Sequence, residues 1–294
     1  MASVLDRKKF FETYKVREAF DDSGLSWDTL AAIYDDYEER KLDLEKAADE
    51  LQEIISKEMK FNVHSIHNRC KDPEHLIEKI IRKVGVEKRQ KYKKINEDNY
   101  LEIVRDLIGF RILTLSKEEW YRVHQFLLGL HKNDQYEIAM AEIPRAYIRY
   151  GDRDIFNHTI HKEYTNKGYR SQHYILKYKQ YYCEIQVRTI AEEVYGEFDH
   201  FVKYPYRENN HFLHRYTSVV AELLNSVDEI ISTCFQFGEE GWSDVEKYFK
   251  KDSYNNWSRI EKNAQNIFES KIPKVQDGEI DAKDYMNRMF LRKG

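Results

Sequence analysis

Cysteine is scarce in these 294 residues: Cys70, Cys183 and Cys234 are the three, with no C-x-x-C spacing. That excludes a disulfide framework and a cysteine-rich zinc site. With only 11 Gly and 4 Pro, nothing collagen-like or low-complexity is present. No run approaches about 18 apolar residues and the mean hydropathy is −0.79, which excludes a membrane-spanning helix. The first residues, Met1-Ala2-Ser3-Val4-Leu5-Asp6-Arg7-Lys8, lack the apolar core of a secretory signal. These absences lead to the expectation of a cytoplasmic protein.

What is present is globular and helix-favouring: 41% hydrophobic residues, 34% charged, 14% aromatic, and 22 Tyr. The length suits one large domain or two modest ones. The net charge of −4 conceals a gradient. Residues 1–59 hold 9 Lys/Arg against 16 Asp/Glu, and residues 60–94 hold 11 against 4. A compact basic segment in an acidic chain suits nucleotide phosphates or RNA, or is simply a solvated helix face. A pI near 6.3 argues against nucleic-acid coating along the whole chain.

Periodicity predicts a long amphipathic helix from Ser26, its N-cap, to Met59. Residues 61–69 alternate as a strand does. Asp72-Pro73 starts a helix carrying Leu76, Ile77, Ile80, Ile81 and Val84, closed by Gly85. Residues 88–94 read as a basic loop too polar to pack. Leu107–Leu115 reads as a buried strand, followed by a helix capped by Ser116. Residues 136–143 alternate again, and residues 144–168 read as a long polar loop. Strands at 171–178 and 182–187 precede a helix over 189–200. From His211 an apolar stripe through Leu213, Tyr216, Val219, Val220, Leu223, Leu224, Val227 and Ile230 predicts a packed helix. Weaker helices follow near 243–251 and 256–270. The fold class is α+β, a mixed sheet flanked by helices with helical N- and C-terminal extensions. The expected divisions are an N-terminal extension over 1–60, the core over 61–205 and a helical region over 206–294.

Three constellations carry chemistry. Arg69 and Lys71 precede Lys79, Arg82 and Lys83, which share one helix face at i, i+3 and i+4. Such density suits a polyphosphate. In Arg105-Asp106-Leu107-Ile108-Gly109-Phe110-Arg111, an acid at the entry of an apolar strand fits a cleft, because burial without a partner is costly. Asp106 is a candidate magnesium ligand or a strand cap paired with Arg111. In Glu184-Ile185-Gln186-Val187-Arg188-Thr189, period-two alternation puts Glu184, Gln186 and Arg188 on one face. That stripe is too polar for a core and demands partners or a ligand. Cys183 falls on the opposite face as a packed thiol. Tyr169, after Gly168, could stack on a base.

The sequence here resembles a known family. GYRSQHY followed by EIQVRT, preceded by RDLIGFR and by NRCKDPEHLIEKIIRK, is similar to the synthetase domain of RelA/SpoT-type alarmone synthetases over about residues 45–205. The resemblance implies a nucleotidyltransferase-like sheet and transfer of the β,γ-pyrophosphate of ATP to the 3′-hydroxyl of GDP or GTP, with Mg2+. It implies Asp106 as a metal ligand and Glu184 as a second ligand or activator of the 3′-hydroxyl. It places Arg69 and Arg111 against adenine, Lys71 and Lys79 on phosphate, Tyr169 under the acceptor base and His173 beside acceptor phosphate. Lys167, Gln186 and Arg188 are further expected acceptor contacts.

Two departures are visible. Arg145-Ala146-Tyr147-Ile148 stands where many members have Lys-Asp-Tyr-Ile, and Lys167 stands where Asn is common. These bear on guanine as acceptor, and some small relatives modify the tRNA 3′ end instead, so tRNA is an alternative acceptor. No His-Asp dipeptide occurs, so the manganese hydrolase activity of long members is not expected, nor is their large regulatory region. The pairs His64/His67, His158/His161 and His211/His214 lack the further ligands of a zinc site. A silent nucleotide- or RNA-binding module is the non-enzyme alternative, although both carboxylates are present. Residues 206–294 could extend the fold, mediate homo-oligomerisation, or act as an antitoxin-like restraint, with Tyr248, Phe249, Tyr254 and Trp257 docking on the cleft.

Overall fold

The computed structural model describes residues 5–130, 135–149, 152, 159–165, 168–203 and 211–240. The chain divides into two compact units, Met1–Glu239 and Glu240–Gly294, and the sheet belongs to the first. Lys167, His158, the expected helices near 243–251 and 256–270, and the Tyr248–Trp257 aromatic cluster lie outside the described residues.

Two short helices, α1 (Arg7–Tyr14) and α2 (Arg17–Asp21), lead into α3 (Trp27–Glu58). Ser26 Oγ caps α3 by accepting from Thr29 N at 3.0 Å, as a serine in extended conformation does. The apolar stripe of α3 (Leu30, Ile33, Tyr37, Leu44, Leu51, Ile55) is fully buried. Strand β1 (Ser65–Cys70) follows, shorter and later than the alternation of 61–69 suggested. Asp72 caps α4 (Pro73–Gly85), with Pro73 in its first turn. Gly85 is needed for packing: a Cβ there would sit 1.9 Å from Ala19 O of α2. The basic stretch after α4 is more than a loop. It contains a 3-10 turn at Gln90–Tyr92 that buries Tyr92, a single anchor that periodicity does not reveal.

After α5 (Tyr100–Ile103) come β2 (Ile108–Thr114) and α6 (Glu119–Leu130). Ser116 does not cap α6. The Glu119 carboxylate takes the Leu115 and Ser116 N–H groups at 2.9 and 3.0 Å, and the helix starts there. The segment 144–168 is likewise not one loop: it holds β4 (Arg145–Ile148) and β5 (His161–Tyr164), after β3 (Ile138–Met140). Strands β6 (Ser171–Tyr178) and β7 (Tyr181–Thr189) form a hairpin turning at Lys179, whose φ is 52°. Helices α7 (Ile190–Lys203) and α8 (His211–Glu240) complete the described chain.

The sheet runs β1-β2-β7-β6-β4-β5, with β3 also on β6. The β2–β7 and β4–β5 pairs are parallel and the others antiparallel. This is the mixed α/β sheet expected. One face carries Ile108, Phe110, Ile112, Cys183, Ile185, Tyr174 and Leu176, all buried in the core with α3 and α4. The period-two alternation thus sends the opposite, polar positions to the other face.

Helix α8 departs in part from its sequence expectation, with Leu213, Tyr216, Val219, Val220 and Leu224 only half-buried. Leu223, Val227 and Ile230 of the apolar stripe are exposed, whereas Thr217, Ala221, Asp228 and Ser232 are buried. The reason is an ionic clamp. Arg170, 1% exposed at its side chain, lies 3.1 Å from Asp228 Oδ2, 3.2 Å from Glu192 Oε1 and 3.1 Å from Asp152 Oδ1. A buried guanidinium must be paired, and Asp228, the one of these three acids on α8, turns its side of that helix inward.

Candidate active site

Strand register assembles the site. Across the sheet, His67, Arg111, Gln186, His173 and Arg145 are successive partners on β1, β2, β7, β6 and β4. One row along, Arg69 faces Gly109 and Gly109 faces Glu184. With hydrogen in place of a side chain, Gly109 leaves the space between Arg69 and Glu184 open. A cleft of about 620 Å³ lies there, lined among others by Arg69, Lys71, Lys79, Arg82, Lys83, Asp106, Arg111, Glu184 and Gln186. The two carboxylates 78 positions apart in sequence, Asp106 and Glu184, therefore share one cleft.

Asp106 ends the connection into β2 and receives two ammonium groups. Lys79 Nζ, descending from α4, is 2.5 Å from Oδ1, and Lys71 Nζ, just past β1, is 3.0 Å from Oδ2. Burial would raise the Asp106 pKa, but Lys71 and then Lys79 outweigh it and hold the carboxyl at about 2. Burial pushes the Lys79 ammonium down against the pull of Asp106. Lys71 is fixed from behind by the buried Tyr37, whose hydroxyl donates to its carbonyl at 2.7 Å. Arg82, Lys83 and Arg89 share Glu87, at 2.5, 2.7 and 3.3 Å, so part of the basic segment is neutralised within itself.

Glu184 is held differently. His173 Nδ1 lies 3.2 Å from Oε1, and Gln186 Nε2 donates to Oε2 at 2.8 Å. Burial would raise this carboxyl and the Asp106 charge adds to that, yet the bond and charge of His173 hold it below its ordinary value. His173 Nε2 meets Tyr169 Oη at 2.9 Å, and Arg188 Nη2 donates to that hydroxyl at 2.7 Å. A guanidinium only donates, so Arg188 is the donor to the Tyr169 hydroxyl. Tyr147 packs edge-on against both rings, 5.6 Å from Tyr169 and 4.9 Å from His173.

Arg188 is not an open contact. It is buried, with Nε on Ser171 at 3.2 Å, Nη1 on Glu193 at 2.9 Å, and Nη2 shared between Tyr169 and Gln186. It therefore supports Tyr169 from below, its guanidinium 5.2 Å from the ring centre. Arg111 is bonded to Glu193 and, at 2.6 Å, to Glu197.

Sequence reasoning missed Glu193, Glu197, the cap at Thr189 and Gly196. Thr189 and Glu192 form a capping box: Thr189 N donates to Glu192 Oε2 at 2.9 Å and Glu192 N to Thr189 Oγ1 at 3.2 Å. The T-x-x-E spacing was the available signal. Gly196 makes a notch in α7, since a Cβ there would lie 2.7 Å from Arg188 Nη1. Gly168 has φ +78°, and its Cβ would lie 2.6 Å from Ala221 Cβ of α8.

The fold is similar to that of small alarmone synthetase 1 from Bacillus subtilis, at 19% identity and a TM-score of 0.50, covering 73% of this chain and 98% of that one. The same protein solved with AMPCPP gives 17% identity and 0.49, covering 70% and 98%. A GTP pyrophosphokinase family protein from Streptococcus pneumoniae gives 19% and 0.48, covering 76% and 96%. No curated protein matches by sequence. Residues 68–209 match the family model described as the region found in RelA / SpoT proteins. No helix among the described residues is long and apolar enough to cross a membrane.

Proposed function

We propose that the protein transfers the β,γ-pyrophosphate of ATP to the 3′-hydroxyl of GDP or GTP, making an alarmone. The observation that carries the reading is the convergence of Asp106 and Glu184 in one basic cleft, inside the RelA/SpoT region. In the step, the 3′-oxygen bonds to the β-phosphorus, the bond from that phosphorus to the α-bridging oxygen breaks, and AMP leaves. The 3′-hydroxyl proton goes to Glu184, which its partners keep ionised at neutral pH. Lys71 and Lys79 meet the phosphates, and Arg69 and Arg111 flank the adenine. Tyr169 stacks on the acceptor base, with His173 at the acceptor phosphates. Such a transfer needs positioning and charge neutralisation, with no covalent intermediate on the protein.

Mg2+ fits this donor set. Asp106 and Glu184 are hard oxygen donors that line one cleft, and magnesium takes one or two carboxylates plus substrate phosphates. Bound there, the ion would neutralise charge developing on the phosphate oxygens.

Guanosine nucleotides are favoured as acceptor by Tyr147. It stands in the segment that corresponds to the family's Lys-Asp-Tyr-Ile and packs edge-on against Tyr169, so the tyrosine of that motif is retained although its neighbours differ. The test is magnesium-dependent transfer of label from β-labelled ATP, with GDP, GTP and deacylated tRNA offered in parallel. Label on GDP or GTP that disappears in Glu184→Gln is the expected result. Label only on tRNA would make the protein a tRNA-modifying enzyme, and label on none would make the region a binding module.

A further inference from the structure

We propose that Glu193 is a positioning residue that couples the two halves of the cleft, so that ATP binding strengthens acceptor binding; this rests on the functional reading above. One carboxylate serves two guanidiniums. Glu193 Oε1 accepts from Arg111 and Oε2 from Arg188, the latter at 2.9 Å. Under that reading Arg111 belongs to the ATP side and Arg188 supports the tyrosine of the acceptor side.

The two arginines differ in freedom. Arg188 sits in the Gly196 notch and is bonded to Ser171, Tyr169, Gln186 and Glu193, with 7% of its side chain exposed. Arg111 is 26% exposed, and its second partner, Glu197, is 59% exposed. Arg111 is therefore the one that turns, from the carboxylates towards the adenine. Glu193 is then left to Arg188 alone, and the repulsion between two cations sharing one anion is relieved where screening by water is weak. A more firmly held Arg188 fixes Tyr169 and, through it, His173. Linkage requires the effect to be reciprocal, with acceptor binding strengthening ATP binding by the same factor.

The experiment is calorimetric titration of the full chain with GDP, with and without saturating AMPCPP, whose methylene bridge blocks transfer. Wild type is expected to bind GDP about fivefold or more tightly when AMPCPP is present, the lower end of common coupling factors. Glu193→Gln should bring that factor close to one and raise both KM values more than it lowers kcat. Glu197→Gln should change AMPCPP affinity and keep the factor. Gly196→Ala, which presses a methyl onto the Arg188 guanidinium without removing any charge, should weaken GDP binding and reduce the factor even where Glu193→Gln folds poorly. A factor of one in wild type, or an undiminished factor in Glu193→Gln or Gly196→Ala, overturns the coupling while leaving pyrophosphate transfer standing. A wild type that binds neither GDP nor AMPCPP, or AMPCPP only, overturns the functional reading itself, and the coupling with it.

Discussion

Replacing Asp106 with Asn keeps the shape of the side chain and removes the charge that two lysines share. In the folded protein the carboxyl is held at about 2 against an ordinary value of 3.8. At 1.36 kcal/mol per unit, the ionised form contributes about 2 kcal/mol to stability at neutral pH. The carboxylate is only 20% exposed, so little of this is lost to screening. Breaking a fully buried ion pair costs about 3–5 kcal/mol, but the lower figure applies here. Burial already pushes the Lys79 pKa down, so without its counter-charge Lys79 can shed a proton. The sign follows from the depressed pKa: the contribution is complete above about pH 5 and is lost as pH falls towards 2, with about 1 kcal/mol gone by pH 3. Urea denaturation of wild type and variant should thus differ by about 2 kcal/mol at pH 7, and the gap should narrow on acidification. Pyrophosphate transfer should fall about 10²–10³-fold, the usual effect of removing one preorganised electrostatic group. A variant with near-normal turnover, or a stability gap that does not change with pH, would refute the role given to Asp106.

Other expectations test different parts of the site. Tyr169→Ala should raise the acceptor KM about tenfold to hundredfold, from a stacking contribution of about 1–3 kcal/mol per base, and leave the ATP KM within about twofold; equal rises in both would contradict the acceptor assignment. Burial pushes the Glu192 carboxyl up to about 8 despite Arg170. Because the folded form keeps a proton that the unfolded chain releases near 4.5, stability should decline as pH rises from about 5 to 8. Glu192→Gln, which can still accept from Thr189 N, should flatten that decline and denature at higher urea than wild type at pH 9, and an unchanged slope would place the titration elsewhere.

Much of the site was legible because strand alternation is rigid. Once Glu184-x-Gln186-x-Arg188 is read as a strand, the three must share a face and Cys183 must oppose them, and Cys183 is fully buried. Caps were equally readable where a single side chain closes a local hydrogen bond, as at Ser26 and Asp72. Strands β4 and β5 were not legible. Four residues each in a polar segment, they owe their form to partners on other strands, and the pairing leaves no local period. Exposed Leu223, Val227 and Ile230 of α8 show the same limit, since pairing of a buried arginine with Asp228 competes with hydrophobic periodicity in orienting that helix.

The sequence by itself determined the kinds of chemistry available: two carboxylates, a set of cations, an aromatic platform, and strands whose alternation points them one way. Those properties are local, carried by residue type and spacing. Tertiary structure alone decided which groups meet. It put Lys71 and Lys79 on Asp106 and His173 on Glu184. It turned Arg188 from a ligand contact into a support under Tyr169, and it gave Glu193 two guanidiniums to share. Each of these pairings joins residues on different elements or across a crossover, and their partners are set by register and helix packing, which no single stretch of chain contains.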